Sequence, residues 1–278
     1  MTRRPCSLPY GLHPSVAIYG MKVLSEQPPS FAVVERIMTT LKYKIGTVVL
    51  PLLPINRRTF DILRHELRAL CTRSLNAVNP GYWTKVRQLN RSRNISLNVG
   101  SGGRGLPGWV NVELTRMPDT TLCLDIRQPL PFADASVARM LAEHVVEHLD
   151  YRSDIPRVFG DWHRILQPGG VLRIVVPDAK RFVEAYATGD STLWQGLGWD
   201  LRKMPEDIHT PMHVLNHIFQ QSGEHLFAYD FETISLKLTN AGFTTIEQTS
   251  FRRSRDPQLE FDQANHAAYS LYIEAVKE

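Results

Sequence analysis

The segment Ile95–Leu114, I-S-L-N-V-G-S-G-G-R-G-L-P-G-W-V-N-V-E-L, restricts the fold more than any other part of this 278-residue chain. Gly100 to Gly105 spell G-x-G-x-x-G directly after an apolar run that reads as a strand. In a dinucleotide-binding fold such glycines open a helix, and the amides at its N-terminus hold a pyrophosphate. Here Pro107, Gly108 and Trp109 follow instead, and a second strand, Val110-Asn111-Val112, begins almost at once. The acid that closes it, Glu113, lies 8 positions past Gly105, whereas the dinucleotide pattern places one about 20 residues on. The glycines therefore mark a ligand at a strand end, and the missing helix argues against NAD.

From Ile95 onward strands alternate with helices. Strands are expected at Ser96–Val99, Val110–Glu113, Thr121–Leu124, Val137–Ala142, Val171–Val176, Thr244–Phe251 and Ser270–Val276. Helices are expected at His144–Leu149, Ile155–Leu166 and Phe231–Asn240, the second stopped by Gln167-Pro168-Gly169-Gly170. Such alternation predicts a doubly wound α/β domain, Rossmann-like, with a mostly parallel sheet covered on both faces. The last two strands follow the last helix and are joined by a polar loop, so one of them should run antiparallel.

Residues 1–94 read as a basic helical extension, and residues 95–278 as the main domain. The first 95 residues hold 15 Lys/Arg against 4 Asp/Glu, a net of +11, and the remainder nets −7. A front third of that sign suits an acidic partner, and peripheral contact with an anionic membrane is one expectation. Phe31–Tyr43 and Thr59–Leu75 look helical. In the latter Phe60, Leu63, Leu67 and Leu70 share a face, with the arginines on what reads as the solvated back. No recognised RNA-binding module accompanies the charge, which argues against nucleic acid. The apolar Ile45–Ile55 segment is broken by Pro51 and Pro54 and falls short of the ~18 residues a spanning helix needs. Arg3 and Arg4 precede no apolar core with a small-residue cleavage site, so no signal peptide is expected. Cys6, Cys71 and Cys123 give neither a disulfide framework nor a zinc spacing. The expected location is cytoplasmic.

Ligands of open α/β sheets bind at the C-terminal strand ends. Four successive ends here carry glycine or acid: Gly100 and Gly102, then Glu113, Asp125-Ile126, and Glu143-His144. A carboxylate such as Glu113 can accept both hydroxyls of a ribose. Asp125 beside apolar Ile126 suits an adenine amino group and ring.

Residues 95–277 resemble the class I S-adenosylmethionine-dependent methyltransferases, of the type 11-like kind. The matching pieces are L-N-V-G-S-G, G-W-V-N-V-E, L-D-I-R-Q-P-L-P-F-A-D-A-S-V, A-E-H-V-V-E-H-L, R-I-L-Q-P-G-G-V-L-R-I-V-V-P-D and L-T-N-A-G-F. The resemblance implies a seven-stranded sheet with its last strand antiparallel, and S-adenosylmethionine as cofactor. It places Gly100 and Gly102 at the methionine moiety, Glu113 at the ribose, and Asp125 with Ile126 at the adenine. Asn98, Ser101 and Glu143 complete the expected cofactor set. Two departures stand out: Asn98 replaces the usual acid two residues before Gly100, and the helix between the first two strands is missing. Family members that share this short connection are often encoded among glycan-building enzymes.

The expected reaction is methylation, at oxygen, of a small-molecule or glycan acceptor. The rivals are an NAD(P)-dependent oxidoreductase and a non-catalytic, cofactor-binding member of the fold. A hydroxyl acceptor calls for a base, most often His. His144 is one candidate, with Glu147 and His148 one turn further on. The stretch Pro177–Asp230 is long for a strand-to-helix connection and reads as a substrate cap. Within it His225 precedes L-F-A-Y-D, similar to a G-H-K-x-x-Y-D stretch in such methyltransferases, so His225 is a second catalytic candidate and Tyr229 a pocket residue. His213 and His217 have i, i+4 metal spacing, but no Glu follows His213, so no metal is expected.

Overall fold

The computed structural model describes residues 56–197 and 208–278. The Pro/Gly-rich lead-in, the helix over Phe31–Tyr43, the Ile45–Ile55 segment, Cys6 and Trp199 lie outside these residues. Contacts divide the chain into two compact units, Met1–Leu63 and Arg64–Glu278. The described part of the first unit is residues 56–63, where the Asn56 side chain accepts from the Thr59 amide at 2.8 Å. The second unit carries every predicted site residue.

Seven strands form one sheet: β1 (Ile95–Val99), β2 (Val110–Glu113), β3 (Leu122–Cys123), β4 (Val137–Glu143), β5 (Leu166–Pro177), β6 (Thr245–Thr249) and β7 (Ser270–Val276). Their order is β3-β2-β1-β4-β5-β7-β6. All neighbouring pairs are parallel except those made by β7, which runs antiparallel to both β5 and β6. The fold is thus the expected α/β sheet, mostly parallel with its last strand reversed. Chain order turns back between β1 and β4, and a crevice opens at such a switch point beyond the strand ends. That point carries Gly100 and Glu143.

The central strands read as continuous apolar runs because both faces are covered: Leu97, Val99, Val112, Met140, Ala142, Leu172, Ile174 and Ile273 are all buried. Helix α3 (Ile155–Ile165) covers one face through Ile155, Val158, Phe159, Trp162 and Ile165, which recur at helical spacing. The Asp230 side chain accepts from the Thr233 amide at 2.8 Å and starts α7 (Phe231–Asn240).

Four expectations are corrected. His144–Leu149 forms only a short 3₁₀ turn, Val146–His148. The Gln167–Gly170 stretch that stops α3 stays within β5 as an irregularity in register against β4 between Val137 and Arg139; Gly169 takes φ 76° there. Pro177–Asp230, read as one long strand-to-helix connection, is helical over much of its described length. It contains α4 (Ala179–Thr188), α5 (Thr192–Gly196) and α6 (Pro211–Gln220), and a small core of its own that includes Phe182, Trp194, Val214 and Ile218. The fourth concerns α1 (Arg57–Val78), the helix before α2 (Pro80–Arg91). Arg58 and Arg64 are exposed, but two of its arginines are not part of a solvated back. Arg68 donates to Thr115 Oγ1 at 3.1 Å and Arg73 lies 3.8 Å from the Asp125 carboxylate, while Leu67 and Leu70 remain more than half exposed. Amphipathic patterning gives the apolar stripe but not which face meets a neighbour rich in carboxylates.

Among the described residues, no helix is long and apolar enough to cross a membrane.

Candidate active site

The turn after β1 sets the site. Gly100 and Gly102 adopt φ 63° and 52°, the left-handed region that costs an L side chain roughly 1–2 kcal/mol. A Cβ on Gly100 would meet Val145 Cγ2 at 2.3 Å, whereas one on Gly102 would meet nothing within 4 Å. Gly100 is therefore fixed by packing, and Gly102 keeps the approach to the backbone open. Gly105 serves the turn, as a Cβ there would lie 2.1 Å from Asp119 Cβ. No helix follows these glycines before β2, so the turn offers no helix N-terminus to a pyrophosphate.

Glu113, at the end of β2, projects back to this turn. Its Oε2 accepts from the Gly102 amide at 2.9 Å and its Oε1 from the Leu114 amide at 2.7 Å. Asn98 is buried and ties the turn together: its Nδ2 donates to Arg104 O at 3.1 Å and to Asn111 Oδ1 at 3.0 Å. The uncharged amide in place of an acid thus has a scaffold role visible in its hydrogen bonds. Ser101 is buried, and its Oγ has no hydrogen-bond partner.

Asp125, past the end of β3, is clamped by Arg127, whose Nε lies 3.0 Å from Oδ1 and whose second nitrogen lies 3.1 Å from Oδ2. Arg127 also pairs with Glu66 of α1 at 2.5 Å. Burial pushes the Asp125 carboxyl up, but the Arg127 hydrogen bonds and charge outweigh it and hold the group below the usual carboxylate range. Ile126 packs against the main core at the same strand end.

Glu143, ending β4, is a hub. Oε2 meets Arg104 at 2.9 Å, and Oε1 accepts from the Gln263 amide at 2.8 Å and faces His266 Nδ1 at 3.1 Å. Burial raises its pKa and these partners, His266 foremost, bring it below the ordinary value. Arg104 also donates to Phe261 O. Sequence reasoning missed Gln263 and His266, because no local pattern links positions 120 and 123 residues from Glu143, and it passed over Arg104, which lies 39 residues away within the glycine turn.

Next to Glu143 sits His144, with φ 54°, unusual for a non-glycine residue. Its Nε2 is 3.0 Å from Ser270 Oγ and its Nδ1 is 3.2 Å from Glu147 Oε1. The His266 ring lies against it at 3.8 Å between centroids, and Tyr269 at 5.5 Å. Glu147 is buried, and apart from the 3.2 Å contact of Oε1 with His144 Nδ1 its carboxylate oxygens have no hydrogen-bond partner among the described residues. Burial pushes this carboxyl up, and His144 more than offsets that, so it too is held low.

His225 comes from the segment after α6. The Leu226 and Phe227 amides both donate to Glu147 O, at 2.8 and 3.3 Å, and carry His225 to the same place. Its Nδ1 lies 2.5 Å from Ile218 O, and its ring is 4.9 Å from that of His148. Burial lowers its pKa. Tyr229 is buried with its hydroxyl unpartnered, and burial raises that group's pKa. His213 is spent on starting α6, where its Nδ1 accepts from the His209 and Thr210 amides.

Two groups of candidates therefore emerge. Asn98, Gly100, Ser101, Gly102 and Glu113 share the first turn, Asp125 with Ile126 occupies the next strand end, and Glu143 joins this set to His144. His144 and His225 both face Glu147. The donor set fits a nucleoside-bearing amino acid cofactor: an open left-handed glycine, an orphaned serine hydroxyl, and acids at consecutive strand ends.

Residues 109–174 match a family model described as a methyltransferase domain. No curated protein sequence matches the chain. Among solved structures, a possible exported protein from Bordetella parapertussis is 14% identical with a TM-score of 0.40, the match covering 70% of this chain and 66% of that one. A SAM-dependent methyltransferase from Thermotoga maritima, a possible histamine N-methyltransferase, is 15% identical with a TM-score of 0.41, covering 78% and 96%. The 1,6-didemethyltoxoflavin-N1-methyltransferase of Burkholderia thailandensis, solved with 1,6-didemethyltoxoflavin and S-adenosylhomocysteine, is 14% identical with a TM-score of 0.41, covering 81% and 91%. The chain thus spans just under two thirds of the Bordetella protein's length.

Proposed function

We propose that the chain is a class I, S-adenosylmethionine-dependent methyltransferase that methylates a hydroxyl of a small-molecule or glycan acceptor, a reading supported by the match of residues 109–174 to a methyltransferase domain and by the sheet order. The observation that carries the choice of oxygen is the setting of His144. Its Nδ1 faces the Glu147 carboxylate and its Nε2 faces a hydroxyl, that of Ser270. An imidazole so held keeps Nε2 as the nitrogen that takes a proton from an alcohol.

Gly100, Ser101 and Gly102 would hold the methionine portion of the cofactor, Glu113 the ribose, and Asp125 with Ile126 the adenine. Asn98 and Glu143 support that cradle, Asn98 by bonding its turn and Glu143 by fixing Arg104 against it. When bound, the cofactor supplies a methyl group on a positively charged sulfur that is open to in-line attack. The protein's share of the work is then mostly positioning. His144 removes the acceptor's proton at Nε2, and the nearby Glu147 charge stabilises the imidazolium that results. His225 and Tyr229 line the acceptor side, on the segment that runs beside the Val146–His148 turn.

The test is transfer of labelled methyl from S-adenosylmethionine to fractionated cell extract by the full-length protein. Label is expected in an ether that survives mild alkali. Label released by mild alkali, as from a methyl ester, or recovered on nitrogen would contradict an alcohol acceptor.

A further inference from the structure

The Glu147 carboxylate is 1% exposed, and beyond the 3.2 Å contact of Oε1 with His144 Nδ1 neither oxygen has a hydrogen-bond partner among the described residues. Leaving a buried charged acceptor unmatched is strongly unfavourable. Among the described residues, Glu147, His148 and His225 are the one His/Cys/Asp/Glu group whose potential ligand atoms converge, all within 4.8 Å of one another.

The two imidazoles are set in the same way. His148 Nδ1 lies 3.0 Å from Glu224 O, and His225 Nδ1 lies 2.5 Å from Ile218 O. A carbonyl only accepts, so each Nδ1 carries the hydrogen and each Nε2 presents a lone pair. Metal-binding histidines are held in this way, with the far nitrogen bonded to a carbonyl or carboxylate that fixes tautomer and ring orientation. His144, whose Nδ1 faces Glu147 Oε1, gives the carboxylate a similar outer partner. Glu147 and His225 are buried, whereas His148 is exposed and opens the group to solvent.

We propose that Glu147, His148 and His225 form a binding site for one divalent transition-metal ion of the zinc type. Two imidazole nitrogens and one carboxylate suit such an ion; magnesium and calcium prefer all-oxygen shells. Ligand bonds of about 2.0–2.2 Å put neighbouring ligand atoms of a tetrahedral site about 3.4 Å apart, so atoms that lie within 4.8 Å of one another close in by at most about 1.4 Å on binding. The ion gives the buried carboxylate a cationic partner and joins the turn after β4 to the segment after α6. This departs from the sequence reading, which expected no metal and weighed only His213 and His217.

The test uses the full-length protein, stripped with a chelator and titrated with Zn²⁺ against a chromogenic competitor, with Co²⁺ absorption as a report of coordination. One equivalent per chain is expected. His148→Ala, at an exposed position, should lower affinity by more than the ~10–100-fold that changes to outer partners cost. Glu147→Gln, which keeps the side chain's shape, should do the same, and His213→Ala should bind as the wild type does. Absence of stoichiometric uptake, wild-type affinity in His148→Ala, or loss of binding in His213→Ala would overturn the site. The readout needs no cofactor or acceptor, so its outcome is independent of methyl transfer.

Discussion

Arg173→Met is expected to destabilise the fold by about 3–5 kcal/mol, the cost of breaking a buried ion pair by removing one partner. Arg173 lies in the middle of β5 and is fully buried, as is Asp262, and Glu274 on β7 is 1% exposed. The guanidinium reaches Asp262 at 2.8 and 2.5 Å and Glu274 at 2.8 Å, and donates to the carbonyls of Arg253 and Ser250. Arg173 and Glu274 are also register partners across the β5–β7 pair. Burial works against the Arg173 charge, and the two acids more than compensate, so its pKa is raised. Methionine replaces the aliphatic stem of the side chain and leaves two carboxylates buried together without a cation. At roughly 2–4 °C per kcal/mol for a domain of this size, Tm should fall by about 6–20 °C. The triple variant Arg173→Met, Asp262→Leu, Glu274→Leu should recover most of the loss, because apolar replacement of a whole buried ionic group is often neutral or better. Urea unfolding reads both; a single variant within about 0.5 kcal/mol of wild type, the ordinary range for surface substitutions, would refute the account of this network.

The second large effect is on turnover. His144→Asn should lower kcat by about 10²–10⁴, the usual worth of a general base, which is roughly 2.7–5.5 kcal/mol of activation free energy. Asparagine is chosen because it tolerates the left-handed backbone that His144 adopts, so the loss reports chemistry rather than strain. Affinity for S-adenosylhomocysteine should stay within about threefold, since the hydrogen-bond, charge and ring partners of His144 are Ser270, Glu147, His266 and Tyr269, residues outside the cofactor set. Single-turnover kinetics beside calorimetry separates the two quantities. A tenfold loss of affinity with unchanged turnover would move His144 from the acceptor side to the cofactor cradle.

Local chemistry made much of this fold readable from residues alone. Val110–Glu113 and Phe231–Asn240 have their expected bounds, because a bounded apolar run and an Asp cap are signals within a few residues. The glycines of the first turn were legible for the same reason, and so was the absence of a helix between β1 and β2. The irregular start of β5 was not, since Pro168 and Gly169 stop a helix by the same backbone preferences that let a strand continue with shifted register. Nor was the docking of α1: its leucines form a stripe in sequence, but the Asp125 carboxylate, at another strand end, draws in the arginine face. The interior of the site was least legible. Glu143 meets Gln263 and His266, and Arg173 meets Asp262, only because β7 returns beside β5, and that pairing is a property of topology rather than of any short motif.

The strand-end glycines and acids are proposed to bind a nucleoside cofactor of the S-adenosylmethionine kind. Calorimetry of the full-length protein with S-adenosylhomocysteine tests it most directly. The prediction is a single site in the micromolar range, no heat with NADH, and a loss of about 1–3 kcal/mol in Glu113→Ala, through two charge-assisted hydrogen bonds. Binding of NADH without any of S-adenosylhomocysteine, or unchanged affinity in a folded Glu113→Ala variant, would contradict it.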